Sequence, residues 1–244
     1  MIRTLWYYLV LVATSILHGL PPVVAGLFGV KHRPGGVYDW ATQDWSRQIL
    51  AGAGTPVLVE GLERVPRGVP VVYASNHSSM FDIWALSAVL PGSTRFLAKR
   101  ELARVPVIGP AMVAAGHIMI DREHKKRAFE AYERAAETIR RGLSAILFPE
   151  GTRSRTGELL PFKNAPFGLA IAAQVPLIPV YVHNTFQILP KGAVLLRPRP
   201  IRVLIGEPIA TSGLTPADRE ALRDRTRAAM LALKARVDAS PPAP

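Results

Sequence analysis

Between Val57 and Ile205 the chain carries seven short apolar runs separated by helical stretches or turn residues. They lie at 57–62, 69–74, 94–98, 117–121, 144–148, 177–182 and 201–205, and each is short enough for a strand. Helical period occupies 82–89, 123–141, 167–173 and 216–237. In 123–141 the residues Phe129, Tyr132, Ala136 and Ile139 share one face. In 216–237 Thr215 caps, Pro216 takes the first position, and Leu222, Thr226, Ala229, Leu233 and Val237 share a face. Strands alternating with helices can bury both faces of a sheet. The chain therefore reads as α/β, a single domain with a central, largely buried sheet flanked by helices over 51–238. A helical membrane anchor precedes it over 1–50, and a flexible Pro-rich tail follows at 239–244.

The second run, ending at Ala74, leads into Asn76-His77-Ser78-Ser79-Met80-Phe81-Asp82. This places a histidine at a strand-to-helix junction, where α/β enzymes concentrate their chemistry. An imidazole can act as a general base, and a carboxylate five positions on can fix its tautomer. Ser79-x-x-Asp82 also fits a capping box, which would make His77 an ordinary turn residue. The motif alone leaves both readings open.

A second polar turn follows the fifth run, in Phe148-Pro149-Glu150-Gly151-Thr152-Arg153-Ser154. Gly151 permits close ligand approach, and Arg153 offers a planar fork suited to phosphate. Glu150 is read as holding that arginine or a substrate hydroxyl, and Arg155 and Lys163 add positive charge. Lys99, at the end of the third run, is a further cation able to reach an anionic head group, although a Lys-Arg pair is also common on exposed turns. Val175-Pro176-Leu177-Ile178-Pro179-Val180 reads as a core strand flanked by prolines.

The 244 residues carry a formal net charge of +12 and no cysteine. Such a charge draws the chain to anionic partners. The basic residues are spread along it, without zinc-finger spacing or an aromatic RNA-binding motif, so nucleic acid is not expected. The histidines show no metal-ligand spacing, so no metal is expected.

Residues 5–30 contain no Lys, Arg, Asp or Glu. The first apolar piece, 5–17, is too short to cross a hydrocarbon core of roughly 30 Å, and Pro21-Pro22 predicts a helix break. Three readings compete. One is a cleaved signal with Val23-x-Ala25 as its site, one a single span, and one a re-entrant or interfacial hairpin anchor. The hairpin is preferred, because Arg3 and the Lys31-His32-Arg33 cluster then both lie on the cytoplasmic side. Trp6, Tyr7 and Tyr8 suit the headgroup region. Residues 39–50, with Trp40, Trp45 and Ile49, form an amphipathic helix that packs on the domain or lies on the membrane.

Taken together, the His77–Asp82 block, the Lys99 block with Pro106 and Gly109, the Phe148–Arg153 block and the proline-flanked strand resemble the glycerolipid acyltransferase family. The resemblance is to the 1-acylglycerol-3-phosphate O-acyltransferases that make phosphatidic acid, and it covers 75–180. It implies that His77 is the base that deprotonates an acceptor hydroxyl and Asp82 orients it. Arg153, assisted by Lys99, binds the acceptor phosphate, while Glu150, Gly151 and Thr152 shape that pocket. Asn76, Ser78, Pro149, Pro176 and Pro179 support the site, and 175–180 lines the acyl region. Backbone N–H groups at Ser78 and Ser79 are candidates to polarise the thioester carbonyl. The implied partners are a lysophospholipid, an acyl thioester and a membrane, with no cofactor. The donor is acyl-CoA or acyl carrier protein, which the motifs do not separate. The implied location is the cytoplasmic face of the inner membrane. One departure is Phe162-Lys163-Asn164-Ala165-Pro166, where the family often has Phe-Lys-x-Gly; the proline stiffens that loop. Another lysolipid acceptor, such as a lyso-ornithine lipid, fits the same blocks. A Ser78 or Ser79 hydrolase and a non-catalytic basic membrane-binding protein are the remaining alternatives.

Overall fold

In the computed structural model, which describes residues 1–121 and 124–239 (backbone only over 125–129), all seven predicted runs form one sheet. The strands are β1 (Val57–Glu60), β2 (Val72–Ser75), β3 (Thr94–Lys99), β4 (Ile118–Ile120), β5 (Ser144–Leu147), β6 (Leu177–His183) and β7 (Ile201–Ile205). Their order is β1-β7-β6-β2-β5-β3-β4. Every pairing is parallel except β6 with β7. β2 begins later than its apolar run because Pro70 has no N–H to donate.

The helices are α1 (Ile2–Leu27), α2 (Val37–Ala53), α3 (Phe81–Val89), α4 (Ile108–Ala114), α5 (Lys125–Arg140), α6 (Ala165–Ala173), α7 (Thr185–Ile188) and α8 (Arg219–Asp238). They cover both faces of the sheet. Val72, Ala74, Ala145, Leu147 and Leu177 pack toward α5, α6 and α8. The alternate residues Val71, Tyr73, Ile146, Ile178 and Val180 pack toward α1, α2 and α3. This period-two alternation makes the sheet the middle of three layers. A capping box between Thr215 and Asp218 starts a short 3-10 turn that leads into α8. Glu123, the Phe129 side chain and the tail from Ser240 lie outside the described residues.

Two expectations change. The Pro21-Pro22 pair does not break the first helix, which runs 26 residues through both prolines, about 39 Å at 1.5 Å per residue. Tertiary packing outweighs the local penalty. A Cβ on Gly19 would meet Val107 Cγ1 at 2.5 Å, and one on Gly26 would meet Ala114 at 3.0 Å, so α1 rests closely on the α4 region. The hairpin is therefore α1 followed by α2 rather than a turn inside 5–30. The second change is α4 itself, which was not expected, because Gly109 and Pro110 obscure so short a helical signal. Gly109 is required there: a Cβ would lie 2.3 Å from the Ala103 carbonyl oxygen.

α2 is tied to the sheet by a buried ion pair. Arg95 Nη1 donates to Asp39 Oδ1 at 2.8 Å, with both side chains almost fully buried. Asp39 also accepts from the Gly35 N–H and the Ser93 hydroxyl. Removing one member strands the other charge in a dry interior. Asp39→Ala is expected to cost about 3–5 kcal/mol in equilibrium unfolding, and a loss under about 1 kcal/mol would show that this pair does not hold the helical layer.

Candidate active site

β6, β2, β5 and β3 are parallel neighbours, so their C-terminal ends meet at one edge of the sheet. That edge gathers His77 after β2, the 148–154 turn after β5, Lys99 at the end of β3, and Thr185 after β6.

Asp82 organises the first of these. Its side chain is fully buried. Oδ2 accepts from Ser78 N at 2.7 Å, from Ser79 N at 2.8 Å and lies 2.8 Å from His77 Nδ1. Oδ1 accepts from the Thr185 hydroxyl. Surrounded by donors, the carboxyl group acts only as an acceptor, so Nδ1 carries the proton and Nε2 is left with a lone pair. The ring of His77 stacks on Phe148, with centroids 3.9 Å apart and planes 13° apart.

The backbone around the histidine is equally committed. Glu150 Oε1 accepts from His77 N at 2.7 Å, and Oε2 from Leu160 N at 3.0 Å. Ser154 N donates to the His77 carbonyl at 2.8 Å. Asn76 makes two hydrogen bonds to the Val182 backbone, at 2.9 and 2.7 Å, and so extends the β2–β6 ladder past the end of β2. Pro149 is buried, and its carbonyl accepts from Lys163 N.

Several sequence readings are corrected here. Glu150 does not hold Arg153; both its oxygens brace backbone N–H groups. The N–H groups of Ser78 and Ser79 are occupied by Asp82, so they do not serve a thioester oxygen. The capping-box reading holds in part: Ser79 N donates to Asp82 Oδ2 and Phe81 N to the Ser79 hydroxyl at 3.3 Å, although α3 itself starts after Met80. The hydrolase alternative loses its nucleophile: the Ser78 hydroxyl bonds Thr185 at 3.0 Å and the Ser79 hydroxyl the Leu189 carbonyl at 2.7 Å. Pro176 lies at the opposite, N-terminal edge of the sheet, where its carbonyl accepts from Val72 N. Pro179, in mid-strand, accepts from Gly206 N at 2.8 Å and has no N–H to return, and it lies between the last β6–β7 pair and the Leu177–Ile209 bridge. Neither proline lines the cavity beside His77, and nor does the rest of 175–180.

That cavity has a volume of about 510 Å³. Its mouth holds His77, Lys99, Gly151, Thr152 and Arg153. Arg153 has no ion-pair partner among the described residues, so its fork is open to an anion. Lys191, not anticipated from sequence, also reaches this mouth and donates to the Thr152 hydroxyl at 3.3 Å. Lys99 is half-exposed, 3.7 Å from Glu101. Inward, the walls are mainly helix faces: Ile83 and Trp84 of α3 with Met80 just before it, and Ile108, Ala111 and Met112 of α4. α1 and α2 close it with Pro22, Ala41 and Trp45. His117 lines the wall too, and Phe96 N donates to its Nδ1 at 3.0 Å. Burial, then Arg95, push it down to about 3 and keep it neutral. Gly151, at φ +73°, leaves room for the Lys163 stem, which would lie 3.0 Å from a Cβ there. Lys163 itself faces a second cavity of about 570 Å³ across the sheet.

A family model described as Acyltransferase matches residues 56–183, more than half of the chain. The chain belongs to the acyltransferase family. Curated relatives include a 1-acyl-sn-glycerol-3-phosphate acyltransferase of Cocos nucifera, 34% identical over 180 residues, which cover 73% of this chain and 57% of the relative. The alpha form from Homo sapiens is 37% identical over 179 residues, covering 73% and 63%. The matched region is therefore less than two thirds of either relative's length. The crystal structure of the 1-acyl-sn-glycerophosphate (LPA) acyltransferase PlsC from Thermotoga maritima shares the fold. It has a TM-score of 0.84 at 24% identity, over 99% of this chain and 97% of that one. The fold is thus common to both proteins over almost their whole length.

Burial pushes Glu150 up to about 7 from an ordinary 4.5, against its two backbone donors. A raised carboxyl holds its proton better in the folded state. The stability it contributes is complete below pH 4.5 and is lost as pH rises through about 7. In Glu150→Gln that loss should vanish from unfolding free energies measured across this window. An unchanged slope would assign the dependence to other groups.

Proposed function

We propose that this acyltransferase moves a fatty acyl group from a thioester to the sn-2 hydroxyl of 1-acylglycerol-3-phosphate, giving phosphatidic acid. The observation that carries the reading is the Asp82-held tautomer of His77, with a free Nε2 lone pair, at the mouth of an apolar cavity flanked by an open Arg153. His77 Nε2 takes the proton of the acceptor hydroxyl as its oxygen attacks the thioester carbonyl carbon. The C–S bond breaks, and the thiolate leaves and regains a proton from the imidazolium. No acyl-enzyme forms. Arg153, with Lys99 and Lys191 nearby, binds the acceptor phosphate, and Thr152 and Gly151 shape its approach. The acyl chain enters the cavity between α3 and α4, whose apolar walls suit methylenes. A thioester is already activated, so alignment and one base supply most of the acceleration. The donor thiol carrier, acyl-CoA or acyl carrier protein, is anionic in both cases and suits the basic surface.

The apolar N-terminal helix suggests membrane association. Leu5, Leu9, Val12, Ile16, Leu20 and Val24 are exposed or half-exposed on α1 at helical spacing, while its other side packs on α2 and α4. We read α1 as lying against the bilayer with that row inserted, on the cytoplasmic face marked by Arg3, Lys31 and Arg33. This orientation would let a lysolipid reach His77 without leaving the membrane surface.

The test is transfer of a labelled acyl group from acyl-CoA or acyl carrier protein by the full chain in vesicles. Lysophosphatidic acid, neutral lysolipids and a lyso-ornithine lipid are offered side by side. Phosphatidic acid should form, and His77→Ala should cut turnover by about 10³-fold or more. Arg153→Ala should raise the KM for lysophosphatidic acid about tenfold or more, and the KM for a phosphate-free acceptor far less. Transfer only to another lysolipid would replace the substrate assignment, and full turnover by His77→Ala would refute the mechanism.

A further inference from the structure

The loop between α7 and β7 turns apolar side chains outward. Residues 191–195 are all exposed, with Val194 at 72% and Leu195 at 48%. The loop is nevertheless built. Leu189 and Leu196 are buried in the core on either side of it, Arg197 N donates to the Ile188 carbonyl at 3.0 Å, and Ala193 N donates to the Pro190 carbonyl at 3.0 Å. Single exposed apolar residues are ordinary, but these two adjoin a larger apolar surface. The Tyr8 hydroxyl donates to the Val194 carbonyl at 3.1 Å, and Leu196 N donates to the Thr4 hydroxyl at 3.3 Å. Thr4 and Tyr8 share one face of α1. About 100° round the helix on one side is Tyr7, which is buried; about 100° on the other are Leu5 and Leu9, which are exposed. The loop therefore borders the exposed row of α1. Residues 1–38 and 184–206 contain no Asp or Glu. Lys191, Arg197 and Arg199 are exposed on the loop and have no ion-pair partner among the described residues.

We propose that the 191–197 loop is a second membrane-docking element, which inserts Val194 and Leu195 into an anionic bilayer beside α1 and sets its cations among the lipid phosphates. This rests on the placement of α1 against the bilayer given above. An apolar tip flanked by cations gains from both parts of such a surface, the acyl boundary and the charged headgroups. An acidic protein would satisfy the cations alone, whereas continuity with the exposed row of α1 calls for lipid. Lys191 on the same loop donates to Thr152 at the cavity mouth. Docking the loop therefore brings that mouth to the headgroup layer, where the phosphate of a lysolipid lies.

The chain has no cysteine, so Val194→Cys accepts a single environment-sensitive fluorophore. On phosphatidylglycerol vesicles its emission should shift to the blue and be quenched by spin-labelled lipid. The same label at Ala228→Cys, exposed on α8 across the sheet, should do neither. A probe at position 194 that stays in water while the protein is vesicle-bound refutes the loop and leaves α1 standing. A protein that does not bind vesicles overturns both, and a blue shift without vesicles assigns the loop to a protein contact instead. Val194→Asp with Leu195→Asp should lower kcat/KM for lysophosphatidic acid in those vesicles by about tenfold or more, and for a short-chain, water-soluble acceptor and donor by less than about twofold. Equal losses would make the loop merely structural. Arg197→Gln with Arg199→Gln should weaken binding to phosphatidylglycerol vesicles about tenfold and to phosphatidylcholine vesicles far less; equal weakening refutes the charge assignment. No transfer to either acceptor overturns the acyltransferase reading and leaves the fluorescence to decide the loop.

Discussion

The arrangement at the sheet edge depends on one buried carboxylate. Asp82 accepts from two consecutive backbone N–H groups, a histidine ring and a threonine hydroxyl. The two backbone bonds fold the 77–79 turn around the carboxylate, the ring bond sets the tautomer, and the Thr185 bond pins the turn to the end of β6. Each contact alone is modest. Together they leave one imidazole nitrogen free, in one orientation, stacked on Phe148. A base worth orders of magnitude in rate must be held within a fraction of an ångström, and this network holds it.

A second carboxylate joins the two chemical loops. Glu150 reaches from the β5 turn to the His77 N–H, and Ser154 N returns a bond to the His77 carbonyl. The Pro149-Glu150-Gly151-Thr152-Arg153 turn thus has two distinct parts. Its glutamate braces the histidine, and its arginine faces the cavity mouth. The same buried position that makes Glu150 an effective brace also raises its affinity for a proton, so the brace links loop geometry to pH. Helices α1, α2 and α4 then enclose the apolar space beyond the histidine, and the Asp39–Arg95 pair keeps α2 on the sheet.

The sheet was legible because each strand is a short apolar run whose alternate residues face two different helical layers; all seven appear where the runs fall. His77 and Asp82 were legible because they are five residues apart on one turn. The roles of Glu150 and Thr185 were not, because their contacts span 73 and 103 residues and depend on strand order. α1 was misjudged because proline penalties are local, whereas Gly19 and Gly26 let the helix dock on α4. α4 was missed because Gly109, needed for contact with the Ala103 carbonyl, removes helical propensity at its start. Lys191 carried no signal, since a lysine in a loop is ordinary until the fold brings it to Thr152.

The central claim is that His77 and Asp82 act as one unit in acyl transfer. A double-mutant cycle of His77→Ala, Asp82→Asn and the double variant, read in kcat/KM for transfer to lysophosphatidic acid, tests it most directly. The account predicts that Asp82→Asn loses most of the activity and that the double variant is no worse than His77→Ala alone. Losses that simply multiply, or an Asp82→Asn enzyme with near-full turnover, would contradict it.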